Sequence, residues 1–517
     1  FKRWLRTGMP VIDVMPRRTS SPSILTSRNA LQAIPERRKV HGTDKDDASC
    51  TPSDKGDASG TPSLCSSMGS GSKHISKSPS EGMFLKHSSQ SSSECLSRSV
   101  EVIPDRLYWL ELQLGEAHPV NTGSMHFFCT DESRRFKYEE FNFDFGPLSL
   151  GATWRYCKMV RAMLRNSHDT DTKIVHYCSD DPKRRANSVY LVCAYMLIVE
   201  GWRPEEAWFP FSGLKPGLLP FRDASAKRES DFDLTVFDCL QGLMRSIRLN
   251  LFDWKRFNVE IFDFYDKPEN GDLKWLIPGK MLAFAGPSSK SVDEHGFRSW
   301  TPKDYAPLFL NSSIALVIRL NKSSYNAKLF IEAGLRHVDL YFPDGSCPPP
   351  QIVNSFLNIT EREHGRIAVH CKAGLGRTGT LIGLYAMKHY QFTAREFIAW
   401  SRICRPGCVL GPQQAWLVAM ESVMFQQGAM MRVPKSPLAM REEGESFVLA
   451  EMARLGLLGQ RRVEDVGQGE MLCEAKQKQR TSPKDNAEED QHGCALECEL
   501  QKISILSPAL TSARRAR

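Results

Sequence analysis

The amino-acid sequence predicts an α/β fold made of two related domains in tandem, each with a central, mainly parallel sheet flanked by helices, between disordered N- and C-terminal tails. Apolar runs at 173–176 and 314–320 alternate with helical patterns at 189–199 and 325–334, an order typical of parallel strands joined by helices. A second observation is that the pattern of 174–208 recurs at 368–400. The third is that both ends of the chain are polar and poor in apolar residues.

The N-terminal tail, 1–104, is rich in Ser, Thr, Pro, Gly and Lys and contains a near-exact ten-residue repeat, DKDDASCTPS followed by DKGDASGTPS. Such a segment buries too little apolar surface to offset the entropy lost on ordering, so we expect it to be disordered. The chain becomes polar again after about residue 428, with a charged run at 476–480. We therefore expect 429–517 to be largely disordered as well.

Composition limits the classes of protein that remain. The 517 residues allow two or three domains, and a hydrophobic content of 41% is ordinary for a chain with a buried core. The formal charge of +8 is modest and well mixed, so we expect no nucleic-acid partner. The 15 cysteines show no disulfide spacing and no secretory signal stands at Phe1, which favours reduced thiols inside the cell. The longest apolar stretch, 188–199, is shorter than the ~20 residues of a membrane span.

The two recurring segments define the predicted domains. Each has a short apolar strand containing Val-His, then a polar loop, a long apolar helix and a second helix. Duplication of one domain explains this spacing better than a solenoid does, because a solenoid repeats every few tens of residues. We predict a first domain at 105–255, an acidic linker helix at 256–275 and a second domain at 276–428.

The second segment contains the loop with the most informative chemistry, HCKAGLGRTG. A buried strand delivers Cys371 to the end of the sheet, where α/β proteins place their ligand sites. The glycines after it let successive N–H groups turn inward as an anion cradle, at the N-terminus of a helix starting near Thr378. The same field favours thiolate and can lower a cysteine pKa from ~8.5 to between ~3.5 and ~7.5. We therefore predict that Cys371 is a nucleophile toward a phosphate ester, held by a cradle of Lys372, Ala373, Gly374, Leu375, Gly376 and Arg377.

Three residues beside the cysteine have predicted roles of their own. Arg377, six positions later, can fold back and hold two phosphate oxygens. Thr378 can donate its hydroxyl toward the cysteine sulfur and ease its departure in a second step. We expect His370 to organise the loop rather than to transfer protons. A Cys and an Arg at this spacing occur by chance in many chains, but the glycines, the Arg-Thr-Gly exit, the strand and the helix make the pattern specific.

The first segment has the same spacing without the same chemistry. Cys178 and Arg184 are also six apart, but the loop between them lacks glycine and carries Asp180 and Asp181. Two carboxylates would repel a phosphate and raise the pKa of the thiol. We predict that this copy is inactive.

A phosphate-transferring cysteine needs an acid that protonates the leaving oxygen and later acts as a base on water. Asp344 follows an apolar run and precedes a glycine, 27 residues before Cys371, which predicts a loop beside the cradle. Asp339 lies within the strand and fits the role less well. Gln413 and Gln414 begin a late helix and could position the attacking water, although they could equally cap that helix.

Several segments resemble the cell-division-cycle-fourteen family of dual-specificity phosphatases. HCKAGLGRTG with the following TLIGLYAMKHY, FPDGS at 342–346, RICRPG at 402–407 and GPQQ at 411–414 carry the likeness. It extends back through ENGDLKWLIPGK and VIRLNK to FDFGPLSL, and covers roughly 105–425. The acid loop departs from the family pattern, because Pro343 stands directly before Asp344 and would stiffen the loop.

The resemblance implies two phosphatase-like domains, of which only the second is catalytic, and hydrolysis of phosphoserine, phosphothreonine and phosphotyrosine through a phosphocysteine. Its substrates would be phosphoproteins made by proline-directed cyclin-dependent kinases, with a basic residue after the proline. An acidic groove would read that residue, at positions matching Asp263, Asp266 and Asp272 here; two of the three are Asp where the family has Glu, which shortens their reach.

The resemblance also implies cell-cycle, cytokinesis or cilium-related regulation. It implies no cofactor and no metal, and it is compatible with a homodimer. The implied locations are the nucleus or nucleolus and the cytoplasm, and also the centrosome, spindle pole or cilium base.

Two other functions share the loop motif. Phosphoinositide phosphatases use an extra lysine where Leu375 stands and need a basic membrane-facing surface, and both the leucine and the acidic linker count against them. A non-catalytic phosphopeptide-binding module would not need Cys371, Arg377 and Asp344 together. We therefore expect an enzyme acting on proteins.

Overall fold

The computed structural model of the chain describes residues 92–167, 171–225, 232–294, 296–431, 447–458 and 467–481. Most of the predicted N-terminal tail and much of the C-terminal tail lie outside these residues. Within them the prediction of two α/β domains is confirmed, since two sheets form and helices flank both.

The first sheet has four strands in the order β1-β2-β4-β3. The first pair is antiparallel, and β4 lies parallel to both β2 and β3, with Leu107 opposite Ile174 at the start of the β2–β4 pair. The strands are β1 (Val100–Ile103), β2 (Leu107–Leu112), β3 (Met125–Cys129) and β4 (Lys173–Ser179). The strand predicted at 173–176 is therefore the beginning of β4, and it is buried because helices cover it.

Five helices accompany this sheet: α1 (Ser92–Arg98), α2 (Leu150–Asn166), α3 (Pro182–Ile198), α4 (Pro204–Trp208) and α5 (Val236–Arg248). Their starts follow capping rules. Ser149 accepts a hydrogen bond from the Ala152 amide at 3.3 Å before α2. Asp181 caps α3, whose first residue is Pro182, and Thr235 forms a capping box with Asp238 at the start of α5.

The second sheet has five strands in the order β5-β6-β9-β7-β8. Again the first pair is antiparallel and the remaining strands run parallel. The strands are β5 (Leu273–Ile277), β6 (Met281–Phe284), β7 (Ile314–Arg319), β8 (Arg336–Asp339) and β9 (Arg366–His370). The order of β1, β2, β4 and β3 matches that of β5, β6, β9 and β7, as expected of duplicated domains.

The remaining helices begin in the linker and continue to the end of the described chain. They are α6 (Val259–Phe264), α7 (Pro302–Asn311), α8 (Lys328–Glu332), α9 (Pro350–Arg362), α10 (Gly376–Tyr390), α11 (Ala394–Cys404), α12 (Pro412–Met431), α13 (helical residues 447–454) and α14 (Gln468–Thr481). The helical pattern predicted at 325–334 is realised only as the short α8. In the described part of the chain, no helix combines the length and apolar character needed to cross a membrane.

Three predicted boundaries differ from the structure. The segment 92–104, assigned to the N-terminal tail, contains α1 and β1, because β1 completes the antiparallel edge of the first sheet. The predicted linker helix at 256–275 is only α6 and one 3₁₀ turn, Pro268–Asn270, since Leu273 already starts β5. Within the predicted C-terminal tail, Gln468–Thr481 is helical, because this segment packs against apolar residues of the second domain.

The domains pack on each other through α5 and α11. A methyl group on Gly242 of α5 would lie 2.4 Å from the Glu396 carbonyl oxygen of α11, so the two backbones are nearly in contact. Arg395 pairs with Asp238 across the same seam at 2.9 Å. One hydrophobic core includes buried residues of both domains, so they form a continuous packed body.

Candidate active site

The predicted cradle lies where β9 ends and α10 begins. His370 is the last residue of β9, Cys371 follows it, and Gly376 opens the helix. Cys371 is only 3% exposed. No acceptor is found within the described residues for the backbone amides of 372–377, so these donors are available to an anion at the helix N-terminus.

Gly374 is the position at which the loop requires glycine. Its φ is +69°, a conformation costly for other residues, and a Cβ there would lie 2.0 Å from the Phe284 carbonyl oxygen of β6. The loop therefore presses its backbone against the neighbouring strand, and a side chain at this position would force the cradle open.

Arg405 holds the loop from behind, and this residue was not singled out from the sequence. It is 1% exposed, its Nε donates to the Gly374 carbonyl at 2.8 Å, and its Nη2 donates to the Ala373 carbonyl at 2.9 Å. Its Nη1 donates to the Asp272 carboxylate at 2.7 Å. Because two loop carbonyls are turned back toward Arg405, the loop amides are left to face the other way. The only sequence signal was its place in the RICRPG motif.

Arg377 and Thr378 contain buried donors without a partner. Arg377 is 2% exposed, and its Nη1 donates to the Phe342 carbonyl at 3.0 Å. Within the described residues, its Nε and the Thr378 hydroxyl have no hydrogen-bond partner. A buried donor left unpaired costs about 1–3 kcal/mol, which a bound phosphate would remove.

Asp344 lies beside the cradle, as the sequence predicted. It is on the loop after β8, and its Oδ1 is 3.1 Å from Arg377 Nη2. Its other oxygen accepts a hydrogen bond from the Gly469 amide of α14. Asp339, the weaker candidate, is occupied by Arg319 at 2.6 Å. Arg377 therefore binds the loop that carries Asp344 at two points, the Phe342 carbonyl and the Asp344 carboxylate.

His370 forms a buried hydrogen-bonded chain. Its Nδ1 is 2.9 Å from the Cys371 carbonyl, which can only accept, and its Nε2 is 2.7 Å from the Tyr325 hydroxyl. Burial lowers the pKa of His370 to about 3, so the ring is neutral. Nδ1 therefore carries the proton and Nε2 accepts from Tyr325. The geometry agrees with a role in organising the loop.

The two glutamines differ in their surroundings. Gln413 is buried, its Nε2 donates to the Ser346 carbonyl of the acid loop at 3.0 Å, and a Cβ on Gly376 would lie 2.8 Å from its Oε1. Gln414 instead accepts a hydrogen bond from Arg402 at 2.5 Å. Gln413 thus lies between the Asp344 loop and the cradle, while Gln414 makes a structural contact with Arg402.

The three carboxylates of the predicted groove each hold a cation of the chain. Asp263 pairs with Arg155 of α2, and Asp266 pairs with Lys274 at 3.2 Å. The side chains of both carboxylates are well exposed, at 40% and 49%.

Asp272 differs from the other two because it is 3% exposed. Burial opposes its charge, but Arg405 and Lys476 outweigh burial and hold its pKa below the usual value. Lys476 belongs to α14 and reaches Asp272 at 2.6 Å.

α14 lies over this cleft. Glu470 pairs with Lys372 of the cradle at 2.8 Å, and burial of Lys372 is more than offset by that carboxylate, so the lysine pKa is raised. Leu472 is 1% exposed and packs on Ala373, Leu375 and Leu410. The helix therefore contacts the cradle, the acid and the Asp272 carboxylate at once.

The first-domain copy fills its loop with its own carboxylates. Asp131 accepts from the amide and hydroxyl of Ser179 at 2.8 and 2.7 Å, and Asp181 accepts from the Arg184 amide at 2.9 Å. The pKa of Cys178 is raised mainly by burial and not by Asp180 or Asp181, which differs from our expectation because both carboxylates point at backbone amides. Two amides of this loop, those of Ser179 and Arg184, are thus already bound by carboxylates of the chain.

Within the parts of the chain that the structure describes, no group of His, Cys, Asp and Glu side chains is arranged to hold a metal ion. The site is built from amides, a guanidinium, a thiol and a carboxyl group.

Comparison with known proteins identifies both domains. The family model "Dual specificity protein phosphatase, N-terminal half" matches residues 101–246, and "Polymorphic toxin system, DSP-PTPase phosphatase" matches 296–391. The chain is 46% identical over 333 residues to dual specificity protein phosphatase CDC14A of Mus musculus, an alignment that covers 64% of this chain and 54% of that protein.

Two further relatives extend the comparison. Identity is 42% to CDC14C of Homo sapiens, covering 64% of this chain and 72% of that protein. It is 36% to tyrosine-protein phosphatase CDC14 of Saccharomyces cerevisiae, covering 62% of this chain and 59% of that protein. The chain spans about half the length of mouse CDC14A.

Proposed function

The chain belongs to the CDC14 family of dual-specificity phosphatases, and from this we propose that it hydrolyses phosphate esters on proteins through a phosphocysteine at Cys371. The observation that carries the proposal is the set of unsatisfied donors around that cysteine. The amides of 372–377, Arg377 Nε and the Thr378 hydroxyl have no partner within the described residues. A tetrahedral oxyanion is the ligand that such converging donors bind best.

The first step forms a bond between Cys371 Sγ and phosphorus while the bond from phosphorus to the side-chain oxygen breaks. Arg377 leaves Asp344 and holds two phosphate oxygens, because a bidentate guanidinium matches the equatorial charge of the transferring group. Asp344, protonated at that stage, gives its proton to the departing oxygen.

The second step hydrolyses the phosphocysteine. Gln413 orients a water, Asp344 takes its proton, and the S–P bond breaks as inorganic phosphate forms. Thr378 donates a hydrogen bond to the departing sulfur. His370 stays neutral throughout and holds the Cys371 carbonyl, so it keeps the loop in position rather than moving protons.

The proposed substrates are phosphoserine and phosphothreonine sites followed by proline and then a basic residue, as made by cyclin-dependent kinases, together with phosphotyrosine. The contact between Lys476 and Asp272 supports this specificity, since it shows a lysine on a peptide segment seated against that carboxylate beside the cradle. Asp263 and Asp266 add negative charge on an exposed rim. We place the activity in cell-cycle regulation inside the cell.

The nucleophile is tested with matched cysteine variants. Cys371→Ser is expected to lower phosphopeptide turnover at least about a thousandfold while binding persists, because the serine hydroxyl is a far weaker nucleophile. Cys178→Ser is the control and should leave turnover within about twofold, because Cys178 lies in the other domain, in a loop where carboxylates of the chain bind the Ser179 and Arg184 amides. Acid quenching of the native enzyme should trap phosphate on Cys371. Retained turnover in Cys371→Ser would end the proposal, and binding without a trapped intermediate would favour the phosphopeptide-binding module.

The acidic rim is tested by charge reversal. The double variant Asp263→Lys and Asp266→Lys should raise KM about three- to tenfold for peptides with a basic residue after the proline, since two exposed carboxylates are replaced by cations that repel that residue. Peptides without that residue should be unaffected. Glu260→Lys, an exposed change on α6 outside the predicted groove, is the control. Equal effects on both kinds of peptide would remove the rim from substrate recognition.

The same assays distinguish a phosphoinositide phosphatase. Leu375, at the position where lipid-directed members use lysine, is fully buried and packs with Leu472. We therefore expect turnover of phosphopeptides to exceed turnover of inositol phosphates, and the reverse order would favour the lipid substrate.

A further inference from the structure

The first domain contains a basic cavity that lies away from both cysteine loops. Its volume is about 440 Å³, within the range of small-molecule sites. Its charged lining consists of Arg106, Arg161, Arg165, Lys255 and a single carboxylate, Glu200.

The cavity lies at the end of the first sheet opposite the Cys178 loop. Arg106 directly precedes β2, and Leu107 of β2 is paired with Ile174 near the start of β4. The other walls come from the last turns of α2 and α3 and from the loop after α5. Because Cys178 lies at the carboxyl end of β4, the cavity is separated from it by the length of the strands.

The four cations form no ion pair with any carboxylate in the part of the chain that the structure describes. The single carboxylate, Glu200, accepts a hydrogen bond from the Tyr195 hydroxyl at 2.7 Å. Four cations and one anion leave a net excess of three positive charges in one concave site, where low-dielectric walls concentrate the field.

One of the four cations, Arg106, stabilises the fold. Arg106 Nη2 donates to the Leu164 carbonyl at 2.7 Å, which satisfies an orphan acceptor at the C-terminus of α2. Arg161 lies one turn earlier, with its guanidinium 4.8 Å from the centre of the Trp254 ring. That stacking holds the guanidinium in place without using its in-plane donors. Capping of α2 therefore accounts for Arg106 but not for Arg161, Arg165 and Lys255.

We propose that this cavity is a second anion site, which binds a small ligand carrying two or more phosphate groups. Guanidinium groups pair with phosphate oxygens in bidentate fashion, and one phosphate cannot contact cations on three separate elements as well as two can. The same chemistry is presented by a soluble inositol phosphate and by the head group of a phosphoinositide lipid. The site is independent of the catalytic cradle and of the proposed phosphatase activity.

The test uses the full chain carrying Arg377→Met, which removes phosphate binding at the catalytic cradle. Inositol trisphosphate is titrated by calorimetry at physiological ionic strength, and vesicles of phosphatidylcholine with phosphatidylinositol bisphosphate are tested by co-sedimentation. We expect one binding event per chain outside the cradle. Binding of the soluble probe alone identifies a free ligand, and binding of the vesicles alone identifies a lipid head group. Failure of both probes overturns the proposal.

Matched variants assign the binding to the cavity. Arg161→Gln with Arg165→Gln should weaken it about tenfold or more, since each change removes charge-assisted hydrogen bonds. Lys158→Gln, also on α2 but stacked on Trp154 outside the cavity, should change it less than about twofold. Melting temperatures check that the variants fold. Equal weakening by the control, or none by the double variant, shows only nonspecific attraction and overturns the site. Phosphopeptide turnover without Arg377→Met reports separately on the catalytic proposal.

Discussion

Arg405 shows how a single buried side chain shapes a catalytic loop. Its three nitrogens bind the carbonyls of Ala373 and Gly374 and the carboxylate of Asp272. Only a planar guanidinium donates in these directions at once, and the ammonium of lysine cannot. We therefore expect Arg405 to be a positioning residue that acts on phosphate through the loop amides.

Arg405→Lys should keep the fold and lower kcat/KM about ten- to hundredfold, because small displacements of a cradle are costly in rate. Arg185→Lys in the first domain is the control, since Arg185 is also buried and binds Glu111 and the Pro216 carbonyl. The measurements are steady-state kinetics, tungstate binding and the pH profile of Cys371 alkylation. If both variants lose stability alike and neither changes tungstate binding, Arg405 serves only the core.

Two buried histidines make stability depend on pH. His176 and His370 occupy equivalent places in the two domains, and burial lowers the pKa of each from 6.5 to about 3. At a pH between these two values, both histidines are therefore protonated in the unfolded chain and neutral in the folded chain. The stability that each neutral ring contributes is complete above pH 6.5 and is lost as the pH falls toward about 3.

Between about pH 7.5 and about pH 5.5, we expect the free energy of unfolding to fall by about 3 kcal/mol from these two residues. Denaturant unfolding at both pH values measures the loss. NMR of the imidazole rings gives the independent check, because neither should titrate in the folded protein above pH 5. A ring that titrates near its ordinary pKa while the protein stays folded would contradict the assignment.

At the scale of elements, α14 lies in the cleft, and we expect it to compete with substrate. The first turn of α14 contacts Lys372 and Asp344, and Lys476 of the same helix forms an ion pair with Asp272. Leu472→Asp should release the helix, since a carboxylate cannot be buried in the apolar seat of Leu472. We expect KM for a basic phosphopeptide to fall at least about threefold, because apparent affinity scales with the fraction of open sites.

Met471→Asp is the matched control, because Met471 is the neighbouring residue and is 36% exposed. It should leave KM unchanged. Protection of Cys371 against alkylation should be lost in Leu472→Asp and kept in Met471→Asp. A KM that stays constant or rises in Leu472→Asp would show that α14 does not block the cleft.

The elements that the sequence predicted are those whose pattern is local. β4, β7, β9 and α10 were predicted because apolar runs and glycines are visible within a few residues, and Asp344 because an apolar run ends beside it. α14 was not predicted, since Leu472 and Ala475 are its only buried apolar side chains and most of its other residues are charged or polar. Its order comes from contacts with residues distant in the chain, such as Asp344 and Asp272, which are 125 and 204 positions away. Arg405 was missed because its partners, Gly374 and Asp272, are also non-local, at 31 and 133 positions.

At the scale of the whole molecule, duplication has produced two cysteine loops on a shared core, and we expect the second to be active and the first inactive. The two loops differ in what satisfies their donors, with carboxylates of the chain in the first and no partner within the described residues in the second. The domains meet where α5 crosses α11, and buried residues on both sides belong to one cluster. We therefore expect the two domains to unfold together.

Gly242 is the place to test this coupling. A methyl group there would meet the Glu396 carbonyl at 2.4 Å and the Trp400 amide nitrogen at 3.1 Å, and neither backbone atom can move without displacing α11. Gly242→Ala should cost about 1–3 kcal/mol, as overpacking of a core does. Gly213→Ala is the control, because its Cβ meets no atom within 4 Å. Calorimetry should show a single transition in the native protein and a lower one in Gly242→Ala, shifted by about 2–4 °C per kcal/mol. Two separate transitions in the native protein, or equal shifts in both variants, would mean that the domains are stable independently of their seam.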